Sequence, residues 1–193
     1  MTSNTSFTLN GKPVDLAGAE PTQSLLRWLQ AQRLTGTKEG CGDGDCGACT
    51  VVVVESRGDG TLAWKPVNAC IRLIPSLDGK AVFTVESLRT PSGALHPVQQ
   101  ALVECHGSQC GFCTPGFAMS LFGLYKNVHA PSREAADDAL SGNLCRCTGY
   151  RPILAAAERM GAIDPQACGA TGWRGPGVAA DGSRIVSNGE QLL

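Results

Sequence analysis

The chain has 193 residues, of which 42% are apolar, and its 16 basic and 17 acidic side chains give a net charge of −1. A near-neutral chain without a long basic run offers no electrostatic basis for binding nucleic acid or an anionic membrane. No apolar stretch approaches the roughly 18 residues typical of a membrane-spanning helix, and the first residues carry no leader signature. We therefore expect a cytoplasmic protein, and in a reducing compartment its ten cysteines favour metal ligation over disulfides.

The first half of the chain has an α/β pattern. Residues 6–9 alternate polar and apolar side chains before the turn signal Asn10-Gly11, which predicts a hairpin. Pro13 in the return strand predicts an edge position, because proline cannot donate to a neighbouring strand. A leucine stripe predicts a helix that is capped by Thr22 and ends at Gly36. A glycine-rich loop is then expected over residues 38–49, with strands at 50–54, 64–67 and 81–85.

The second half is helical from about residue 86. Apolar residues at three-to-four spacing predict helices over residues 96–105, 115–127, 132–140 and 152–160. Ser132 suits a helix cap, and Pro115 suits a first turn. We therefore expect an α+β chain in three parts: residues 1–87, a helical part at 88–164, and an irregular glycine-rich tail or linker at 165–193. This tail either docks on a partner chain or forms a solvated terminus, and both interpretations remain open.

Eight of the ten cysteines form two sets of four. The first set has the spacing C-x4-C-x2-C-x20-C and consists of Cys41, Cys46, Cys49 and Cys70. This spacing is typical of plant-type ferredoxins, in which four thiolates hold a [2Fe–2S] cluster. Glycines between these cysteines let backbone amides approach the cluster sulfurs. Zinc also binds four cysteines, but its sites usually pair two short knuckles, which fits this set less well.

The second set has the spacing C-x2-C-x31-C-x-C and consists of Cys110, Cys113, Cys145 and Cys147. Each pair precedes a predicted helix, and helix N-termini favour negative charge. An anionic cluster between two helix starts would be stabilised there. Zinc or a redox dithiol would also explain this spacing, but the first set favours a second [2Fe–2S] cluster.

The other cysteines and histidines have simpler interpretations. Cys105 is expected to be a small buried side chain, and Cys168 a free thiol in the tail. Capping or turn roles are expected for His96 and His106 rather than metal ligation. Arg146 either tunes the second cluster or pairs with a partner's carboxylate.

Three segments resemble the iron–sulfur part of the xanthine oxidase (molybdenum hydroxylase) family. They are residues 36–50, 107–116 and 142–153, within a likeness that covers residues 5–162. Residues 67–72 and 95–100 resemble the xanthine dehydrogenase branch. The resemblance implies a ferredoxin-like β-grasp domain and then a four-helix-bundle domain, each with one [2Fe–2S] cluster. It also implies that Gln109 and the region of Cys147 approach a molybdenum–pterin group.

The resemblance implies partner chains as well. A large molybdopterin-binding subunit would hydroxylate the substrate, and an FAD-binding subunit or domain would receive the electrons, in a hetero-oligomer. Electrons would pass from molybdenum through the helical-part cluster and the ferredoxin-like cluster to FAD. The chain would thus be the iron–sulfur subunit of an oxidoreductase and not catalytic alone. The alternatives are a free-standing two-cluster ferredoxin and a zinc-stabilised interaction module.

Overall fold

The first half of the chain folds into a mixed sheet. The computed structural model describes residues 6–90, 93–128 and 130–164, together with the backbone of 185–187 and 190–192. The strands are β1 (Ser6–Leu9), β2 (Lys12–Asp15), β3 (Thr50–Ser56), β4 (Leu62–Asn68) and β5 (Ala81–Phe83), in the order β2-β1-β5-β3-β4. The β1–β5 pair is parallel and the other pairs are antiparallel.

The predicted hairpin is confirmed. Asn10 and Gly11 both have positive φ, 48° and 79°, as a tight two-residue hairpin turn between right-twisted strands requires. Pro13 lies on β2 at the edge of the sheet, where its missing N–H leaves no neighbour unpaired.

The valine run of β3 is buried on both sides of the sheet. Val51 to Val54 are at most 1% exposed. Val51 and Val53 belong to a core with helix α1 (Leu25–Ala31), while Val52 and Val54 belong to a core with the later helices. A strand covered on both faces is continuously apolar rather than alternating, which explains the sequence of β3.

Helix α1 is shorter than predicted, and its predicted cap is wrong. Ser24, not Thr22, caps it, with the Ser24 hydroxyl accepting the N–H of Arg27. Ser24 also forms a β-bridge with Leu73, which keeps the chain extended up to that point. The helix ends at Ala31 because Arg33 adopts a positive φ of 63°.

The four later helices are confirmed within a few residues. They are α2 (Pro97–Glu104), α3 (Thr114–Asn127), α4 (Arg133–Leu140) and α5 (Arg151–Met160). His96 caps α2, since its Nδ1 accepts the Val98 N–H while the Gln99 side chain accepts the His96 N–H. Ser132 caps α4 as expected. His106 has a positive φ of 55° in the turn after α2, as its expected turn role requires.

The sheet and the helices share one core. Trp64 and Phe83 stack at 5.5 Å between ring centroids, and Phe122 of α3 meets them edge-on at 5.8 and 6.4 Å. Helix α3 therefore covers the sheet face opposite α1 and carries its own N-terminus towards the glycine-rich loop. Among the described residues, no helix is long and apolar enough to cross a membrane.

The tail contains regular structure where an irregular segment was expected. Strands β6 (Ile185–Ser187) and β7 (Glu190–Leu192) pair antiparallel as a short two-stranded sheet.

Candidate metal centres

The glycine-rich loop brings Cys41 and Cys46 together. The Cys41 N–H lies 3.3 Å from the Cys46 sulfur, and the Cys46 N–H lies 3.3 Å from the Cys41 sulfur. A Cβ on Gly40 would stand 2.7 Å from the Cys46 sulfur, so only glycine fits there without displacing that side chain. The loop therefore directs backbone amides at sulfur atoms, as iron–sulfur sites require.

Cys70 joins the first set from the far end of β4. Burial, and then the neighbouring Cys49 thiol, raise the pKa of Cys70 to about 12. Near the exposed Cys41, the Asp43 carboxylate raises the thiol pKa, but backbone amides of Asp43 and Cys46 outweigh it and the net pKa is lowered. Since metal ligands must be deprotonated, loading this set releases protons.

The second set assembles where the two predicted helices begin. Cys113 is the N-cap residue of α3, and the sulfurs of Cys110 and Cys147 are 3.5 Å apart. The pKa of Cys110 is lowered by the Phe112 amide and then by Cys147. Burial, followed by Cys145, raises the pKa of Cys113 to about 12. In this set Cys110 thus pairs with Cys147, and Cys113 pairs with Cys145.

The donor chemistry of both sets fits a two-iron cluster. All nine cysteines in the described residues are free thiols. Within that part of the chain, no group of three or more His, Cys, Asp or Glu side chains is placed so that it could hold one metal ion. The thiols instead approach in pairs, as in Cys41 with Cys46 and Cys110 with Cys147. Four terminal thiolates, two for each iron, are what a [2Fe–2S] cluster takes.

A buried network joins the two cysteine sets. Asn143 is 4% exposed, and its amide nitrogen donates to the Gly47 carbonyl at 3.0 Å and to the Thr50 hydroxyl at 3.2 Å. The Ser120 hydroxyl donates to the Asn143 amide oxygen at 2.6 Å. The next residue, Leu144, donates its N–H to the Cys46 carbonyl at 2.9 Å. The loop before Cys145 is therefore tied to the first cysteine loop.

Close backbone packing supports this junction. A Cβ on Gly116 of α3 would stand 2.2 Å from the Gly47 carbonyl oxygen, and one on Gly47 would stand 2.4 Å from the Gly142 carbonyl oxygen. Glycine at these positions lets the helix start, the first loop and the second loop meet at backbone distance. The ring of Phe112 also lies 3.7 Å from the position of a Cβ on Gly40.

The structure also places the remaining predicted residues and several that the sequence patterns missed. Gln109 is exposed beside Cys110. Cys105 is half-buried against the helical core, and Cys168 lies outside the described residues. The sequence patterns did not predict a role for Asn143 or Leu144. The one local signal for such a role was their position immediately before Cys145.

Two protein families together match most of the residues that the structure describes. Residues 7–73 match a family described as a 2Fe-2S iron-sulfur cluster binding domain, and residues 84–158 match one described as a [2Fe-2S] binding domain. The protein is therefore an electron-transfer protein that binds two [2Fe–2S] clusters.

Its relatives include aldehyde oxidases and xanthine dehydrogenases. Aldehyde oxidase 1 of Rattus norvegicus is 49% identical over 79% of this chain, and xanthine dehydrogenase/oxidase of Felis catus is 47% identical over 86%. The chain belongs to the xanthine oxidase family and corresponds to the iron–sulfur region of that family. The predicted family is therefore confirmed. It spans 12% of each of those relatives. Quinoline 2-oxidoreductase from Pseudomonas putida 86 is 36% identical with a TM-score of 0.69, over 82% of this chain and 93% of that one.

Proposed function

We propose that this chain is the electron-transfer subunit of a xanthine dehydrogenase-like molybdenum hydroxylase. It would work in the cytoplasm within a hetero-oligomer, beside a large molybdopterin-binding subunit and an FAD-binding subunit or domain. The shared region with aldehyde oxidase and xanthine dehydrogenase supports this assignment. Identities of 49% and 47% do not separate the two branches, so the xanthine-like preference rests on the sequence phrases at residues 67–72 and 95–100.

The two cysteine sets would hold the two clusters in two domains. Cys41, Cys46, Cys49 and Cys70 would bind one cluster in a β-grasp domain at residues 1–87. Cys110, Cys113, Cys145 and Cys147 would bind the other in a four-helix bundle at residues 88–164. Each bound cluster supplies a reversible one-electron site, and the two together match the two electrons of a hydroxylation that uses oxygen from water.

The hydrogen bond from Leu144 to Cys46 is the observation that carries the proposal. Leu144 is covalently next to Cys145 and donates at 2.9 Å to the backbone of Cys46. One predicted ligand of each set is thus connected by a few covalent bonds and a single hydrogen bond. Such a continuous connection suits electron exchange between two clusters better than storage in two isolated sites.

The family resemblance gives the direction of electron flow, and each set has an exposed cysteine through which electrons could pass. Cys110 and Cys147 are exposed beside the exposed Gln109, so this rim would face the pterin. Cys41 is exposed at the other set and would face FAD. Electrons would then enter through the second set and leave through the first.

The test is a cysteine scan in the assembled complex. Wild type should contain about four iron and about four acid-labile sulfide per chain. Cys113→Ala should lose one cluster signal in electron paramagnetic resonance and stop transfer to the distal acceptor. The control Cys105→Ala lies outside both sets and should keep both clusters.

Other outcomes would identify a different protein. Turnover that survives Cys113→Ala would contradict serial transfer. A monomer that purifies without molybdenum or flavin partners would instead be a two-cluster ferredoxin shuttle. About two zinc and no iron per chain would establish a zinc-stabilised interaction module.

A further inference from the structure

A closed hydrogen-bond ring follows Cys145 in the chain. The Cys145 N–H donates to the Tyr150 phenol oxygen at 3.0 Å, and the Tyr150 N–H donates to the Thr148 hydroxyl oxygen at 3.2 Å. The Thr148 hydroxyl is 3.2 Å from the Cys145 sulfur, and the Thr148 N–H is 3.5 Å from it. The ring begins at the backbone of Cys145 and returns to its side chain.

The backbone of Tyr150 is strained in a way that builds this ring. Tyr150 has φ 69° and ψ −34°, a region that bulky residues rarely occupy. The Arg151 N–H donates to the Gly149 carbonyl at 2.8 Å across it, so the three residues form a γ-turn, a rare and strained turn type. Strain of this kind persists where surrounding contacts enforce it, and it concentrates at functional sites.

The turn sends the tyrosine ring back towards Cys145 instead of out along the helix. Its ring meets Phe117 of α3 at 6.3 Å between centroids, in an edge-on contact. The start of α5, the start of α3 and the Cys145 loop are thereby held together by one side chain.

The direction of the Thr148 hydrogen bond follows from the chemistry of a metal ligand. A metal-bound thiolate has no proton to donate, so the hydroxyl must be the donor when Cys145 is a ligand. The oxygen of that hydroxyl already accepts from Tyr150, which orients its proton towards the sulfur. The sulfur of Cys145 then accepts two hydrogen bonds from Thr148.

We infer that Thr148 and Tyr150 are positioning residues that fix Cys145 and raise the reduction potential of the second cluster. The inference rests on the proposed ligand role of Cys145. Hydrogen bonds to ligand sulfur stabilise the reduced, more negative cluster and so raise its potential. Thr148 supplies the hydrogen bonds, and Tyr150 holds both the hydroxyl and the backbone of Cys145 in place.

The test is a redox titration of the assembled complex, with each cluster followed by its paramagnetic signal. Thr148→Val keeps the shape and removes the hydroxyl, so the potential of the second cluster should fall while that of the first stays unchanged. Thr148→Ser should restore a potential near that of wild type. Thr114→Val is the matched control, because the Thr114 hydroxyl also lies beside a cysteine but bonds to Ser108 at 2.8 Å.

Tyr150→Phe provides an independent variant. It retains the ring and the turn but removes the acceptor of the Cys145 N–H. We expect a broadened signal and a lower potential for the second cluster alone, and this variant decides the question if Thr148→Val fails to retain the cluster. Unchanged potentials in both variants, or equal shifts of both clusters, would overturn the inference. A second cluster that survives Cys145→Ala would instead refute the ligand assignment.

Discussion

The backbone N–H of Leu144 donates a hydrogen bond to the backbone carbonyl of Cys46 across 2.9 Å. These residues are far apart in sequence and belong to loops that carry different cysteine sets. Neither side chain takes part, so the contact depends on the course of the main chain alone. It connects the two cysteine-bearing loops without exposing a polar group to the core.

Removing this donor should slow electron exchange between the clusters. Leu144→Pro removes the N–H, whereas Leu144→Ala retains it and serves as the control. With both clusters still bound, stopped-flow reduction of the first cluster should be slower in Leu144→Pro. The free energy of unfolding should also fall by at least about 1 kcal/mol, the usual value of one hydrogen bond, because proline additionally restricts the backbone of Asn143. Equal rates in the two variants would show that electrons take another route.

The Asn143 side chain should be the main polar stabiliser of the junction. Asn143→Ala removes the bonds to Gly47 and Thr50 and leaves the buried Ser120 hydroxyl without its partner. We expect a loss of about 2–3 kcal/mol in the free energy of unfolding, measured by chemical denaturation. Asn127→Ala also removes two hydrogen bonds, but from an exposed residue. Asn127→Ala should lower the free energy of unfolding by clearly less than Asn143→Ala does. A similar loss in both variants would contradict a special role for the junction.

Gly116 should not tolerate even a methyl group. A Cβ there would meet the Gly47 carbonyl oxygen at 2.2 Å, and a backbone atom on a packed loop cannot move aside cheaply. Gly116→Ala should destabilise the protein by about 2 kcal/mol or more and reduce its iron content. Gly142→Ala is the control, because a Cβ there meets no atom within 4 Å. A change within about 0.5 kcal/mol is expected for the control.

His96 should make stability depend on acid pH. Burial, with a smaller effect of Lys126, lowers the pKa of His96 to about 3. The folded state therefore holds His96 neutral where the unfolded chain, with a pKa near 6.5, binds a proton. The contribution of neutral His96 to the free energy of unfolding is complete above pH 6.5. This contribution is lost as the pH falls towards 3, by about 1.4 kcal/mol per pH unit at most.

The matched variant for this prediction is His96→Asn. Asparagine can cap a helix but does not titrate in this range. The difference in unfolding free energy between wild type and this variant should change between pH 7 and pH 4, when measured by denaturant titration at each pH. A constant difference would mean that His96 does not titrate on unfolding.

Local patterns were sufficient to predict much of the fold. The Asn10-Gly11 turn depends on two adjacent residues, and α3 and α4 are marked by local periodicity and by Pro115 and Ser132. Cysteine spacing also divided eight cysteines into two sets of four, and the assignment of these sets as cluster ligands stays a prediction. The predictions succeeded where a few consecutive residues contain the whole physical reason.

Tertiary contacts determined the features that local sequence patterns did not predict. The cap of α1 moved to Ser24 because of a bridge to Leu73, a partner distant in sequence. The Asn143 network and the strained turn at Tyr150 depend on where α3 and the first loop lie in space. No periodicity or spacing within a single segment contains that information.

The contacts among Trp64, Phe83 and Phe122 limit how far the two halves of the chain can be separated or exchanged. The sheet and the helices each complete the interior of the other, so a cut between β5 and α2 would leave large aromatic surfaces open to water. We expect either half expressed alone to aggregate, and chimaeras that exchange one half to need matching aromatic side chains. We therefore expect each cysteine set to fold into its loops only when both halves are present in one chain.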